Sequence, residues 1–144
     1  MDLVKTMDRL YYDMVLAELQ MMHDDELAEK ITYNSLLYLD LIVYKKNCTV
    51  TYLANALHIS KSAVTIKVNE LVKQGIVEKI QDEDDKRIHY IQAVPHIAEE
   101  FRKFDRKANV AAQRMEQEFS QKELEQFCKM LEAYTRYYRG GEEK

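Results

Sequence analysis

The segment TYLANALHISKSAVTIKVNELVKQGIVEK, from Thr51 to Lys79, holds two helical patterns, a tight turn between them and the start of a strand. Leu53, Ala54 and Leu57 share one face of a short helix that begins at about Val50. His58-Ile59 leaves room only for a tight connection. Ser60 is then placed to accept a hydrogen bond from a free N–H of the next first turn, capping a helix that runs to Gln74. Gly75 follows where a left-handed cap is wanted. Val64, Val68 and Leu71 mark the inward face of this second helix, and Ser62, Thr65, Ile66, Asn69 and Lys73 are read as the opposite side.

Past Gly75 the period changes from 3.6 to 2. Ile76 to Ile80 reads as a strand, Gln81 to Arg87 as a polar loop and Ile88 to Val94 as the returning strand. Pro95 stops it, because proline cannot donate to the ladder. Upstream, Thr32 to Lys46 reads as a helix with Thr32 as N-cap, apolar almost all round and therefore buried on most sides. Further upstream, Leu3, Met7, Leu10, Met14, Ala17 and Met21 step alternately by four and three, the stripe of one helix laid along another. That stripe is assigned to a partner subunit, with packing inside its own subunit as the competing reading. His23-Asp24-Asp25-Glu26 ends or bends the helix. Downstream, Ile97, Phe101, Phe104, Ala108, Ala111, Ala112, Met115 and Phe119 keep a helical period. Ser120 with Glu123 makes a capping box, and Leu124, Phe127, Leu131, Tyr134 and Tyr138 continue on a new helix.

The fold class is thus mainly α with a small β-hairpin wing: a winged helix-turn-helix flanked by N- and C-terminal dimerisation helices. One domain is expected over residues 1–144, with the winged core at about 32–94 and dimerisation helices at about 1–30 and 95–140. Leu3, Met7, Leu10, Met14, Leu124, Phe127, Leu131 and Tyr134 are the expected dimerisation residues.

Composition agrees with long helices, since 144 residues include only 3 Gly and 1 Pro. The net charge of -4 does not favour nucleic acid, but the field of the docking face decides that, not the sum. From Lys45 to Lys73 there are five lysines against one acid, Glu70. No stretch approaches the ~20 apolar residues of a membrane span. Met1 to Arg9 is interrupted by charges of both signs, Asp2, Lys5, Asp8 and Arg9, unlike a signal peptide, so a cytoplasmic protein is expected. Cys48 and Cys128 belong to no C-x-x-C and are read as reduced thiols rather than redox sensors. His23, His58, His89 and His96 form no metal-binding motif; His23 beside Asp24, Asp25 and Glu26 is read as a solvated helix end. No metal and no cofactor are expected. An enzyme is not expected either, because there is no phosphate-binding glycine loop and no nucleophile elbow.

In a helix-turn-helix the second helix enters the major groove with its N-terminal residues at base edges. Backbone N–H groups at its start can meet a phosphate. Ser60, Lys61, Ser62, Thr65, Ile66, Lys67 and Asn69 are therefore the candidate DNA-binding residues on this helix. The alternative is a winged-helix protein–protein interaction module without specific DNA binding.

The Thr51–Lys79 segment resembles the helix-turn-helix and first wing strand of the MarR family of bacterial transcriptional regulators. Asp82-Glu83-Asp84-Asp85-Lys86-Arg87 resembles its wing motif, D-P-x-D-R-R or D-x-R-D-x-R, and the order of helices matches the family over the whole chain. The resemblance implies a homodimeric regulator of transcription, a repressor with an activator as the alternative, acting on a pseudo-palindromic site in double-stranded DNA. It implies a wing arginine in the minor groove, carried over to Arg87 with Lys86 beside it. Asp82 and Asp85 match the motif's acids, and Asp85 is expected to brace a basic side chain. It also implies a small-molecule effector bound near the tyrosines of the first two helices, for which simple packing of Tyr11, Tyr12, Tyr33, Tyr38 and Tyr44 is the alternative. The sequence departs from the family at Ile66, where arginine is common, and at Asp84, where one wing motif has arginine. Val94 and Ile97 replace a common Thr and Gly. Four consecutive acids, Asp82 to Asp85, count against deep insertion of the wing.

Overall fold

The computed structural model describes residues 1–24 and 31–141. Asp25 and Glu26 lie outside the described residues, as does the side chain of Phe104. Six helices and two strands follow in the order α1 (Leu3–Asp24), α2 (Tyr33–Tyr44), α3 (Val50–Leu57), α4 (Lys61–Lys73), β1 (Val77–Gln81), β2 (His89–Ala93), α5 (Pro95–Glu118) and α6 (Gln121–Tyr138). They fall into two compact units, Met1–Phe101 and Arg102–Lys144.

In the first unit, side-chain hydroxyls start three successive helices. Thr32 accepts from the Ser35 N–H, Thr49 from Tyr52 and Ser60 from Ala63, each satisfying an N–H that the helix cannot. The turn between α3 and α4 is closed by His58 in the left-handed region at φ 56, with the Ile59 N–H donating to the Ala54 carbonyl at 3.1 Å. Helix α4 ends in a Schellman motif. Gly75 takes φ +71, its N–H bonds the Val72 carbonyl, and the Ile76 N–H reaches back to Leu71 at 2.9 Å. Ile76 and Leu71 are both buried, the apolar pair that accompanies this motif. Leu39, Leu53, Val64, Val68, Leu71 and Val77 form the innermost layer, so α2, α3, α4 and β1 share one core.

The hairpin is antiparallel, with Val77 opposite Ala93 and Gln81 opposite His89. Strand β1 lies one residue later than the expected Ile76–Ile80, and β2 is one residue shorter at each end than the expected Ile88–Val94. Helix α2 stops at Tyr44, short of Lys46, because Lys45 turns extended and Cys48 makes a bridge with Ile91. The Ile91 N–H donates to the Cys48 carbonyl at 2.8 Å, which ties the hairpin to the segment before α3. Pro95 both ends the returning segment and opens α5, where its missing N–H costs no helical bond. In the second unit, Ser120 and Glu123 form the expected capping box at the start of α6. Helix α6 buries none of its residues within one chain.

Candidate nucleic-acid interface

The core side of α4 is set by Val64, Val68 and Leu71. The exposed residues Ser62, Ile66, Asn69 and Lys73 follow at steps of four, three and four, a straight stripe directed away from that core. Ile66 is 71% exposed. Asn69 is held from β1: its Oδ1 accepts from the Lys79 ammonium at 2.7 Å. Lys61 is exposed beside the capped N-terminus, where the Ser60 hydroxyl is engaged by the Ala63 N–H.

Two residues named from sequence sit elsewhere. Lys67 does not join the stripe. Its ammonium donates to the Ser35 hydroxyl at 2.9 Å and to Glu70 at 3.1 Å, and its side chain is only 15% exposed. The spacing held the signal, since 64, 67, 68 and 71 are i, i+3, i+4 and i+7, the inward pattern. Thr65 lies on the flank, half-buried, with its hydroxyl donated back to the Lys61 carbonyl at 2.8 Å.

The wing is shaped by its own acids. The Asp82 carboxylate accepts from the backbone N–H groups of Asp84 and Asp85 at 2.9 and 2.7 Å, the local turn that aspartate favours. The Asp85 N–H, then the Tyr90 hydroxyl, hold the Asp82 carboxyl below the usual carboxylate range. Asp85 accepts from the Arg87 Nε at 2.9 Å and Nη2 at 2.8 Å, and from the Arg87 N–H at 3.0 Å. The guanidinium, then the backbone N–H, keep Asp85 ionised below its ordinary range. Arg87 nevertheless stays 90% exposed at the side chain, and Lys86 is exposed beside it. Two of the four tip acids are thus engaged in folding the loop, which leaves Glu83 and Asp84 as the exposed pair.

A cleft of about 570 Å³ opens between the start of α3 and the wing. Thr49, the N-cap of α3, and Thr51 in its first turn line it on one side, and Lys79, Arg87, Ile88 and His89 from the hairpin. Its rim therefore carries basic side chains next to the positive end of a helix, an environment that favours an anion. Sequence reasoning missed Lys79 because its role depends on the α4–β1 pairing rather than on any local pattern.

The sequence model of the MarR family matches residues 31–89, from just before α2 to the start of β2. The transcriptional regulator AdcR of Streptococcus pyogenes serotype M6 is 34% identical over 104 residues, 69% of this chain and 70% of that protein. The chain belongs to the MarR family. Its fold agrees over nearly the full length. The adhesin competence repressor AdcR from Streptococcus pyogenes superposes with TM-score 0.60 at 30% identity, covering 96% of this chain and 98% of that one. Streptococcus pneumoniae FabT, solved in complex with DNA, gives TM-score 0.73 at 15% identity over 96% of each chain. The family match spans α2, α3, α4 and β1 and reaches the first residue of β2. Among the described residues no group of three or more His, Cys, Asp or Glu side chains is placed to hold a metal ion.

Proposed function

We propose that this MarR-family chain is a sequence-specific DNA-binding transcriptional regulator, acting as a homodimeric repressor on a two-fold related operator. The observation that carries this reading is the outward stripe of α4, Ser62, Ile66, Asn69 and Lys73, exposed on a helix whose other face is locked into the core. Such a helix offers the major groove its side chains without disturbing the fold. Arg87 and Lys86 on the wing and Lys61 at the start of α4 supply cations for the backbone and the minor groove. The cleft between α3 and the wing suits a phosphate of the same duplex.

Dimerisation is supported by apolar side chains that one chain leaves exposed. Leu3, Leu10 and Met14 are exposed on α1 and Phe127 on α6, with Met7, Leu124, Leu131 and Tyr134 half-buried. A monomer would keep these faces in water. Two winged units held at a fixed separation would occlude a promoter, and an effector would act by changing that separation. The role is regulatory rather than catalytic, and its place is the cytoplasm. No helix among the described residues is long and apolar enough to cross a membrane.

Selection of bound sequences from random duplex DNA tests the proposal. Enrichment of one motif with two inverted half-sites is the expected outcome. Retention of all duplexes alike, with no motif enriched, would leave the interaction-module reading in its place.

A further inference from the structure

Given the reading above, in which α4 enters the major groove, the side chains it presents restrict which bases it prefers. We infer that this recognition helix reads A·T pairs, with Ile66 against a thymine methyl and Asn69 on the edge of an adenine.

The stripe lacks a guanine reader. Guanine is read in the major groove by Arg or Lys donors on its O6 and N7. Lys67 is turned inward onto Ser35 and Glu70. Lys73 lies in the last turn of α4, away from the N-terminal residues that reach base edges. Lys61 is off the stripe, one residue before Ser62, where a backbone phosphate is the nearer partner. The two central positions of the stripe are therefore an apolar side chain and an amide.

Ile66 is 71% exposed, so its side chain is dry only when something covers it. The thymine C5-methyl is the apolar group that a base edge offers in the major groove. Asn69 lies three residues on, on the same stripe and about one turn further along α4. Asparagine matches adenine by donating its NH₂ to N7 and accepting from the N6 amino group. Lys79 pins the carbonyl end of that amide at 2.7 Å, uses one of its two lone pairs, and so fixes the side chain before DNA arrives. The Asn69 amide nitrogen makes no hydrogen bond among the described residues. Ser62 accepts or donates to any base and adds no discrimination of its own.

The test uses the duplex obtained by selection, with each thymine replaced in turn by deoxyuridine and each adenine by 7-deazaadenine. Removing the methyl that faces Ile66 should weaken the wild-type dimer about fourfold per half-site and about sixteenfold when both are changed. Ile66→Ala should bind the unmodified duplex that much more weakly and be indifferent to deoxyuridine at the same position. Asn69→Ala should likewise be indifferent to 7-deazaadenine at one adenine per half-site, where the wild type loses affinity. Ile66→Arg should move the preferred base at the Ile66 position from thymine towards guanine. Thermal melts of the variants check that these exposed positions leave the fold intact. A selected half-site built on G·C pairs would overturn the inference while leaving DNA binding standing. So would wild-type affinity unchanged within twofold by every deoxyuridine and 7-deazaadenine. Failure to select any motif would remove the DNA-binding reading itself, and this inference with it.

Discussion

Arg87 and Lys67 are both cations of the winged core, and their neighbours give them opposite roles. Arg87 is fixed by Asp85 through two hydrogen bonds yet remains almost wholly exposed, so its remaining donors face outward. An exposed ion pair contributes little to stability. Lys67 is enclosed by Ser35, a buried polar residue of the core, and by Glu70. Each neutralised phosphate adds about 0.9 to the slope of log affinity against log salt. With two wings per dimer, Arg87→Ala should lower that slope by up to roughly 2 with little change in melting temperature. Lys67→Met should do the reverse, costing about 1 kcal/mol of stability for the lost hydrogen bonds while the slope stays as it was. Titrations at several salt concentrations, with melts on the same samples, separate the two. A slope that follows Lys67 and ignores Arg87 would move the DNA contact away from the wing.

The elements were legible where a local rule fixes them. Ser60 and Gly75 bracket α4 by cap chemistry, Ser120 with Glu123 starts α6, and the change from period 3.6 to 2 announces the hairpin. The Cys48–Ile91 bridge was not legible, since a single pair has no period, and Lys67 was assigned by its residue type against its spacing. The acids of the wing tip looked repulsive in sequence because their backbone partners appear only once the loop is folded. Asp40 is a related case between α1 and α2. It is the one charged residue of α2, and burial, then Glu18 of α1, push its carboxyl up to about 6. The folded chain therefore binds this proton more tightly than the unfolded chain. The stability from the neutral form is present below about pH 4 and is lost as pH rises through 6. Asp40→Asn should stabilise the protein at pH 7.5 by roughly 1–2 kcal/mol, with the gain shrinking towards pH 5. Denaturant melts at the two pH values check it, and equal stability of variant and wild type at pH 7.5 would refute it.

At the scale of the whole molecule, a net charge of -4 coexists with a local excess of lysine around α3 and α4, so binding depends on presenting one face to the duplex. Dimerisation fixes which faces are presented together. Leu10 is 44% exposed on α1 in a single chain. In a monomer Leu10→Asp would be close to neutral, whereas in a dimer it puts two carboxylates into an apolar contact at several kcal/mol. Sedimentation should show the wild type as a dimer at low micromolar concentration and a dissociation constant raised at least about a hundredfold in Leu10→Asp. A wild type that sediments as a folded monomer there would count against the assembly. In the proposed complex two recognition helices, at a separation set by the dimer, read two half-sites of one duplex. Half-sites of that kind lie about one helical turn, roughly 10 base pairs, apart or at multiples of it. Inserting five base pairs between the selected half-sites turns one of them to the opposite face of the DNA. The measurement is the affinity for the selected duplex with and without that insertion. A fall to the level of random DNA is expected, and an affinity unchanged by the insertion would rule out paired reading by a dimer of fixed separation.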